Sequence, residues 1–313
     1  MKTTITSTSS ENFCNQIAEL TERVSDAHLT VHIENQTCRR EWQKASVGRN
    51  SGYGQPNSTW YISFKNYHDK LVPILSIQKM SSNNSPEWDG FLETVQKLVT
   101  AKESFILDMR GNPGGDATKG MEMARILYGL DRGMQIPMPL KKIYRRQTIE
   151  AWSILANTFR LKIQNQIDVG QTPSIYLNET YQTILDFRRK SIDGLIPDLD
   201  IETFGSMPVD LSQSFTSNVY LLIDRNCGSS CELTLEALEN LSSVITVGEN
   251  TTGVVQFGNV GSLYLPSSHI VVRIPTQGAI YTDQRQIEKI GYSPKWNVPS
   301  GLDALDYALD RFF

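Results

Sequence analysis

Two turns in this chain hold residue types suited to acyl transfer. The first is Asp108-Met109-Arg110-Gly111-Asn112-Pro113-Gly114-Gly115, at the end of the apolar run Phe105-Ile106-Leu107. The second is Asp224-Arg225-Asn226-Cys227-Gly228-Ser229-Ser230-Cys231-Glu232, at the end of Val219-Tyr220-Leu221-Leu222-Ile223. Each reads as a buried strand, a glycine turn and the start of a helix. Such a junction leaves backbone N–H groups and the positive end of a helix dipole beside a cleft, where they can stabilise an oxyanion. A serine in the second turn is then a candidate nucleophile, and both Ser229 and Ser230 qualify. A serine hydroxyl needs an adjacent base at neutral pH. Four histidines could serve as that base, namely His28, His32, His68 and His269. The chemistry these residues support is that of a serine hydrolase.

Apolar spacing indicates what must hold the turns in place. Phe13, Ile17, Leu20 and Val24 recur at helical spacing over 11–25, and a short strand follows at 29–33. The Gly-, Ser- and Asn-rich stretch 48–59 reads as a loop, with strands near 60–64 and 72–78. Ser85-Pro86 reads as the N-cap and first residue of a helix whose apolar face is Trp88, Leu92, Val95 and Val99. Another helix is expected over 116–130. Residues 131–215 break the pattern with an insertion of two amphipathic helices. Ile149, Trp152, Leu155 and Phe159 line one; Leu177, Tyr181, Ile184 and Leu185 line the other. The core resumes with a strand at 218–224, a helix at 229–241 and strands near 243–247, 253–258, 261–265 and 269–274. A helix at 303–311 closes the chain. The class is α/β with a mixed sheet. Residues 1–48 form an N-terminal helix and strand, 49–130 and 216–313 are two parts of the core, and 131–215 is a lid or an interface.

Composition narrows the partners. A chain of 313 residues can bury a sizeable core. A formal charge of −4 and a pI near 5.7 give no reason to expect nucleic acid or an anionic membrane as partner. No apolar run reaches transmembrane length, and the start at Met1–Ser7 has no apolar h-region. The location expected as encoded is cytoplasmic, or extracytoplasmic if a leader has been removed. Four cysteines, Cys14, Cys38, Cys227 and Cys231, are too few for a disulfide scaffold. Cys227 and Cys231 lack nearby histidines, make a poor zinc pair and read as small buried packing residues. No metal and no organic cofactor is expected.

These segments resemble the C-terminal-processing and tricorn-core serine peptidases. Members carry a strand ending in D-x-R-x-N-x-G-G, which Asp108–Gly115 fits, and a later S-x-x-E turn, which Ser229–Glu232 fits. Val247-Gly248-Glu249-Asn250-Thr251-Thr252-Gly253 is similar to their V-G-E-x-T-x-G turn. Gly291-Tyr292-Ser293-Pro294 and Asp303-Ala304-Leu305 come close to their G-x-x-P-D turn and terminal D-A-L helix. The matches cover about residues 100–130 and 215–313. They imply a crotonase-like layered core and a peptidase acting through an acyl-enzyme on a peptide or protein substrate. A homo-oligomer is compatible with this reading.

The resemblance also assigns roles. It selects Ser229 as nucleophile, with Ser230 the rival. In the processing-protease branch a lysine base follows the V-G-E-x-T-x-G turn, but here that position is Val254, which cannot take a proton. The tricorn-like branch uses a histidine instead, and Ser25-Asp26-Ala27-His28-Leu29-Thr30 is similar to its L-x-D-x-H-T segment. His28 is therefore the expected base, with His32 the alternative. Glu288, just before Gly291, stands where that branch keeps a glutamate that positions the base, here through Ser25 or water. The backbone N–H groups of Gly115 and Ser230 would form the oxyanion hole. Read from the residues themselves, Asp108, Arg110, Asn112 and Gly114 would shape the first glycine turn, and Glu232, in the first helical turn after Ser229, would favour the dipole of that helix. The stretch between His28 and the first glycine turn is too short for a PDZ domain, so capture of C-terminal tails is not carried over. Two other readings stay open: an esterase or acyl-transfer enzyme on the same scaffold, and a catalytically silent binding module.

Overall fold

The computed structural model describes residues 9–22, 24–33, 36–38, 59–80, 86–131, 134–205 and 210–313. Ser85 and all but Thr59 of the expected loop at 48–59 lie outside the described residues. In chain order the elements begin with α1 (Ser10–Glu22), β1 (Thr30–Ile33), β2 (Gln36–Cys38), β3 (Trp60–Tyr67), β4 (Lys70–Ile77) and α2 (Pro86–Thr100). Next come β5 (Phe105–Asp108), α3 (Ala117–Tyr128), β6 (Lys141–Arg146), α4 (Ile149–Asp168), α5 (Ile175–Ile192) and β7 (Leu199–Phe204). The last are β8 (Val219–Ile223), α6 (Ser230–Leu238), β9 (Val244–Gly248), β10 (Phe257–Leu265), β11 (Ile270–Tyr281), β12 (Trp296–Asn297) and α7 (Ala304–Phe312). The fold is mixed α/β, and the described residues form two six-stranded sheets. It divides into two compact units. One takes Met1–Ala45, Lys141–Phe204 and Gln256–Glu288; the other takes Ser46–Leu140, Gly205–Val255 and Lys289–Phe313.

The unit holding the glycine turns is built on the sheet β12-β9-β8-β5-β4-β3. All its neighbours run parallel except β3 and β4, which form an antiparallel hairpin. His68 and Asp69 close that hairpin with φ of 48° and 62°, the double left-handed turn that matches strand twist. The parallel strands are buried on both faces and so read as continuous apolar runs. On one face Ile74, Ile106, Tyr220, Leu222 and Val247 pack against Ala308 and Leu309 of α7. The residues of opposite parity, Leu75, Ile77, Phe105, Leu107, Leu221 and Ile223, are also buried. Both glycine turns leave the carboxyl ends of adjacent strands, β5 and β8, which pair in register from Phe105–Val219 to Asp108–Leu222.

In the other unit, β11 is the spine of the sheet. β10 pairs along one edge of it, while β1 pairs residues 270–273 and β6 pairs residues 277–281 of the opposite edge. Ladder pairing on that second edge lapses at Ile274–Thr276, where Pro275 has no N–H to leave unpaired. α4 and α5 pack on each other through Leu155, Ala156 and Ile184, and α4 lies on β10. Segment 141–204 thus supplies two strands as well as the two helices expected from the sequence. β6 and β7 escape a sequence reading because Lys141-Lys142-Ile143-Tyr144-Arg145-Arg146 and Leu199-Asp200-Ile201-Glu202-Thr203-Phe204 carry charge along a half-exposed pair. Arg145 bridges Asp200 and Glu202 across it. The expected strands near 253–258, 261–265 and 269–274 resolve into the long hairpin of β10 and β11.

Candidate active site

Ser229 occupies the junction of β8 and α6 with φ 55° and ψ −116°. A non-glycine residue in this region carries about 1–3 kcal/mol of strain, which the surroundings must offset. The offset is visible. Glu232, fully buried, reaches back so that its Oε2 accepts the Ser229 N–H at 3.0 Å and the Val254 N–H at 2.9 Å. Its Oε1 accepts the Thr251 hydroxyl at 2.6 Å and the Gly253 N–H at 2.7 Å. Burial pushes the Glu232 carboxyl up, while these four donors pull the other way. The S-x-x-E spacing and the T-x-G turn therefore meet at one carboxylate. Val254, where the lysine of the other branch would stand, gives that carboxylate its backbone.

The two serines of the turn differ. Ser230 is buried and its hydroxyl donates to the Gly115 carbonyl at 2.8 Å. Ser229 keeps part of its surface exposed.

The first glycine turn is laid against the second. Gly228 N–H donates to the Asn112 carbonyl at 3.1 Å, while the buried Asn112 side chain accepts from Gly114 N–H at 2.8 Å and donates to the Ile77 carbonyl at 3.1 Å. Gly114, at φ 94°, approaches so closely that a Cβ there would sit 2.6 Å from the Gly228 carbonyl and 2.7 Å from the Ser230 nitrogen. Gly115, at φ 139°, lies against Met80, whose carbonyl accepts the Asp116 N–H at 2.9 Å. The Gly115 and Ser230 nitrogens thus belong to two turns that touch beside Ser229. Asp108 accepts the Arg110 N–H, Nε and Nη2, and Arg110 Nη1 reaches Asp303 at 2.8 Å, tying the turn to the N-cap of α7.

The cysteines differ from the sequence expectation. Cys227 and Cys231 are buried, but they form a disulfide that closes the turn around Ser229, and Cys14 is bonded to Cys38. One turn of helix brings positions i and i+4 together, so a C-x-x-x-C spacing at a helix start is a usable signal.

His28 and Glu288 belong to the unit without Ser229. One ring nitrogen of His28 and one carboxylate oxygen each of Asp26 and Glu288 lie within 4.8 Å of one another. Glu288 reaches this segment through the Ala27 N–H, donated to Oε1 at 2.7 Å, and Ser25 is exposed. Gln256 holds Glu288 from the other side: its N–H donates to Glu288 Oε2 at 3.0 Å, and its amide oxygen accepts the Ile287 and Glu288 N–H groups. His28 Nδ1 is enclosed with no hydrogen-bond partner, and burial pushes the imidazole down to about 4. His32 is different, because Thr30 and Thr37 hydroxyls engage both its ring nitrogens. His68 is exposed and His269 Nδ1 bonds the Tyr264 hydroxyl. Sequence reasoning missed Gln256, which stands in no recognisable pattern, and gave Asp26 no role although it is the aspartate of the segment similar to L-x-D-x-H-T.

A cavity of about 820 Å³ lies in the same unit, over the lapse in pairing on β11. Asp26, Arg146, Ile154, Phe257, Ile274 and Gln277 are among its walls.

Glycine turns thus leave the ends of adjacent parallel strands, and a strained serine stands at the second. Residues 72–298 match the model of peptidase family S41. The chain belongs to that family, and its class is serine-type peptidase. No curated protein sequence matches it. Among solved structures, a "putative peptidase" from Parabacteroides merdae ATCC 43184 is similar, with 14% identity, a TM-score of 0.55 and coverage of 95% of this chain and 79% of that one. Mature CPAF complexed with lactacystin is 18% identical with a TM-score of 0.48, over 80% of this chain and 53% of that one. The photosystem II D1 C-terminal processing protease is 14% identical with a TM-score of 0.42, over 80% and 52%. The chain thus spans about half the length of these last two. Among the described residues no helix is long and apolar enough to cross a membrane.

Proposed function

We propose that the chain hydrolyses peptide bonds with Ser229 as nucleophile, His28 as base and Glu288 as the group that positions His28. Ser229 Oγ attacks the scissile carbonyl, and His28 takes its proton and returns it to the leaving amine. The Gly115 and Ser230 N–H groups hold the oxyanion, each worth about 3–4 kcal/mol in such sites. A water then attacks the acyl-enzyme through the same base. The observation that carries this reading is the Ser229 turn: a strained, partly exposed serine braced by Glu232 and packed against Gly114 and Gly115. The enclosed, unpartnered Nδ1 of His28 near Glu288 supports a base still to be engaged.

The core is read as crotonase-like in its layering. The cavity under α4 is the candidate pocket for a substrate side chain, which gives the helical segment the role of a substrate wall; Ala151 and Ile154 of α4 line it. The two disulfides favour an oxidising, extracytoplasmic setting.

Labelling by a fluorophosphonate probe tests the mechanism. Labelling should be lost in Ser229→Ala, strongly reduced in His28→Ala and kept in Ser230→Ala. Full labelling of folded Ser229→Ala would exclude the assignment. Turnover of an amide against the matched ester separates a peptidase from an esterase on this scaffold.

A further inference from the structure

We propose that Asp26, His28 and Glu288 form a binding site for one zinc ion, and that zinc bound there switches the peptidase off. The inhibitory half rests on His28 being the base; the site itself does not.

The donor set is an imidazole nitrogen and two carboxylate oxygens within 4.8 Å of one another. Zinc takes nitrogen and oxygen ligands at about 2.0–2.2 Å, so small side-chain rotations about a central ion close the set. Calcium and magnesium prefer all-oxygen shells, so the imidazole favours zinc. Both carboxylates are already oriented by backbone donors. Asp26 Oδ1 accepts the His28 N–H at 2.8 Å and the Leu29 N–H at 3.3 Å. Glu288 accepts from Ala27 and Gln256 N–H groups. Hydrogen bonds behind the ligands are what fix ligand orientation in metal sites. A second observation is independent of the carboxylates: His28 Nδ1 is enclosed and makes no hydrogen bond. A buried polar atom without a partner calls for an explanation, and an ion is one. His32, four residues on along the same short segment, has both nitrogens engaged and offers no such opening.

Coordination would occupy a lone pair of His28 and hold the ring against Asp26 and Glu288. A ring so held cannot accept the Ser229 proton. Zinc would then be a reversible inhibitor, released by chelation.

Calorimetric titration of the chelator-treated full chain with zinc chloride, with magnesium chloride as control, tests the site. One zinc per chain is expected, with no comparable magnesium binding. Affinity should fall at least about tenfold in Asp26→Asn, which keeps an oxygen to accept the turn's N–H groups, and further in His28→Ala. Circular dichroism confirms that both variants fold. Zinc affinity unchanged in either folded variant overturns the site. Fluorophosphonate labelling of wild type is then measured against zinc concentration. Half-inhibition at the calorimetric dissociation constant, reversed by chelator, is expected. Zinc binding with undiminished labelling overturns the inhibitory half. Zinc binding by a wild type that chelator-treated buffer leaves unlabelled removes the Ser229–His28 mechanism, and the inhibitory half with it, while the metal site stands.

Discussion

At the scale of the residue, Ser229 is held in a backbone conformation that L-residues avoid, and a single buried carboxylate holds it there. Glu232 satisfies three backbone N–H groups and one hydroxyl, from Ser229, Gly253, Val254 and Thr251. Glu232→Ala leaves these donors unpaired in a site that water does not reach. A stability loss of about 3 kcal/mol or more is expected in urea unfolding, with labelling abolished. Glu232→Gln keeps one acceptor oxygen and should fall between. A loss well under 1 kcal/mol in the alanine variant would mean that water replaces the carboxylate. Gly114 sets a second limit. A methyl there points at the Gly228 carbonyl and the Ser230 nitrogen at φ 94°. Gly114→Ala should therefore slow labelling at least about a hundredfold, as loss of an oxyanion donor does. Near-normal labelling would place the oxyanion elsewhere.

At the scale of the element, the start of α6 is closed covalently by Cys227–Cys231 and the start of α7 is capped by Asp303. The disulfide spans the turn that carries Ser229, and small displacements of the proposed nucleophile would be costly. The double variant Cys227→Ala/Cys231→Ala should keep its far-UV circular dichroism yet label about tenfold to a hundredfold more slowly. Labelling at the wild-type rate would make the bridge dispensable for positioning. Asp303 accepts the Leu305 and Asp306 N–H groups and the Arg110 guanidinium. Burial raises its carboxyl, but Arg110 and the helix donors outweigh it and hold it below the usual carboxylate range. A folded-state pKa below the unfolded one means that stability is present above the unfolded value and is lost as pH falls through the folded one. Asp303 is half-exposed, so screening keeps the effect small. Asp303→Asn keeps a capping oxygen but loses the charge facing Arg110, so it should cost under about 1 kcal/mol at pH 7 and less at pH 3. Urea unfolding at both pH values checks this, and equal losses would rule out the charge as the cause.

At the scale of the molecule, both described bridges are local staples, and each acts inside one unit. Cys14–Cys38 ties α1 to β2 across a sequence separation of 24, around a small cluster with Val31, Ile33, Ile270 and Val272. A loop of that length closed by a disulfide stabilises by about 3 kcal/mol in the chain-entropy account. The variant Cys14→Ala/Cys38→Ala should unfold at correspondingly lower urea concentration. Because His28 lies in the same unit as this bridge, far-UV circular dichroism rather than labelling is the control for the native state. A variant as stable as wild type would mean that the denatured chain is not restrained by the bridge.

Much of this protein is legible in order along the chain. The strands β5 and β8 stand out because burial on both faces demands continuous apolar runs. Their glycine turns stand out because positive φ and close backbone approach exclude side chains. The helices of segment 131–215 are legible for the same kind of reason, since a 3.6-residue period is a local property. Other features depend on which backbone meets which. β6 and β7 exist through pairing with β11 and with each other, while their own residues are too charged to announce a strand. The meeting of Asp26, His28 and Glu288, and the hold of Gln256 on Glu288, join residues from opposite ends of the chain, and no spacing encodes that. Residue order alone thus sets the chemistry available, a serine in a glycine turn between a buried strand and a helix. Packing in three dimensions selects which serine is strained and exposed and which histidine keeps a free nitrogen, because burial and hydrogen-bond partners arise only when distant segments meet.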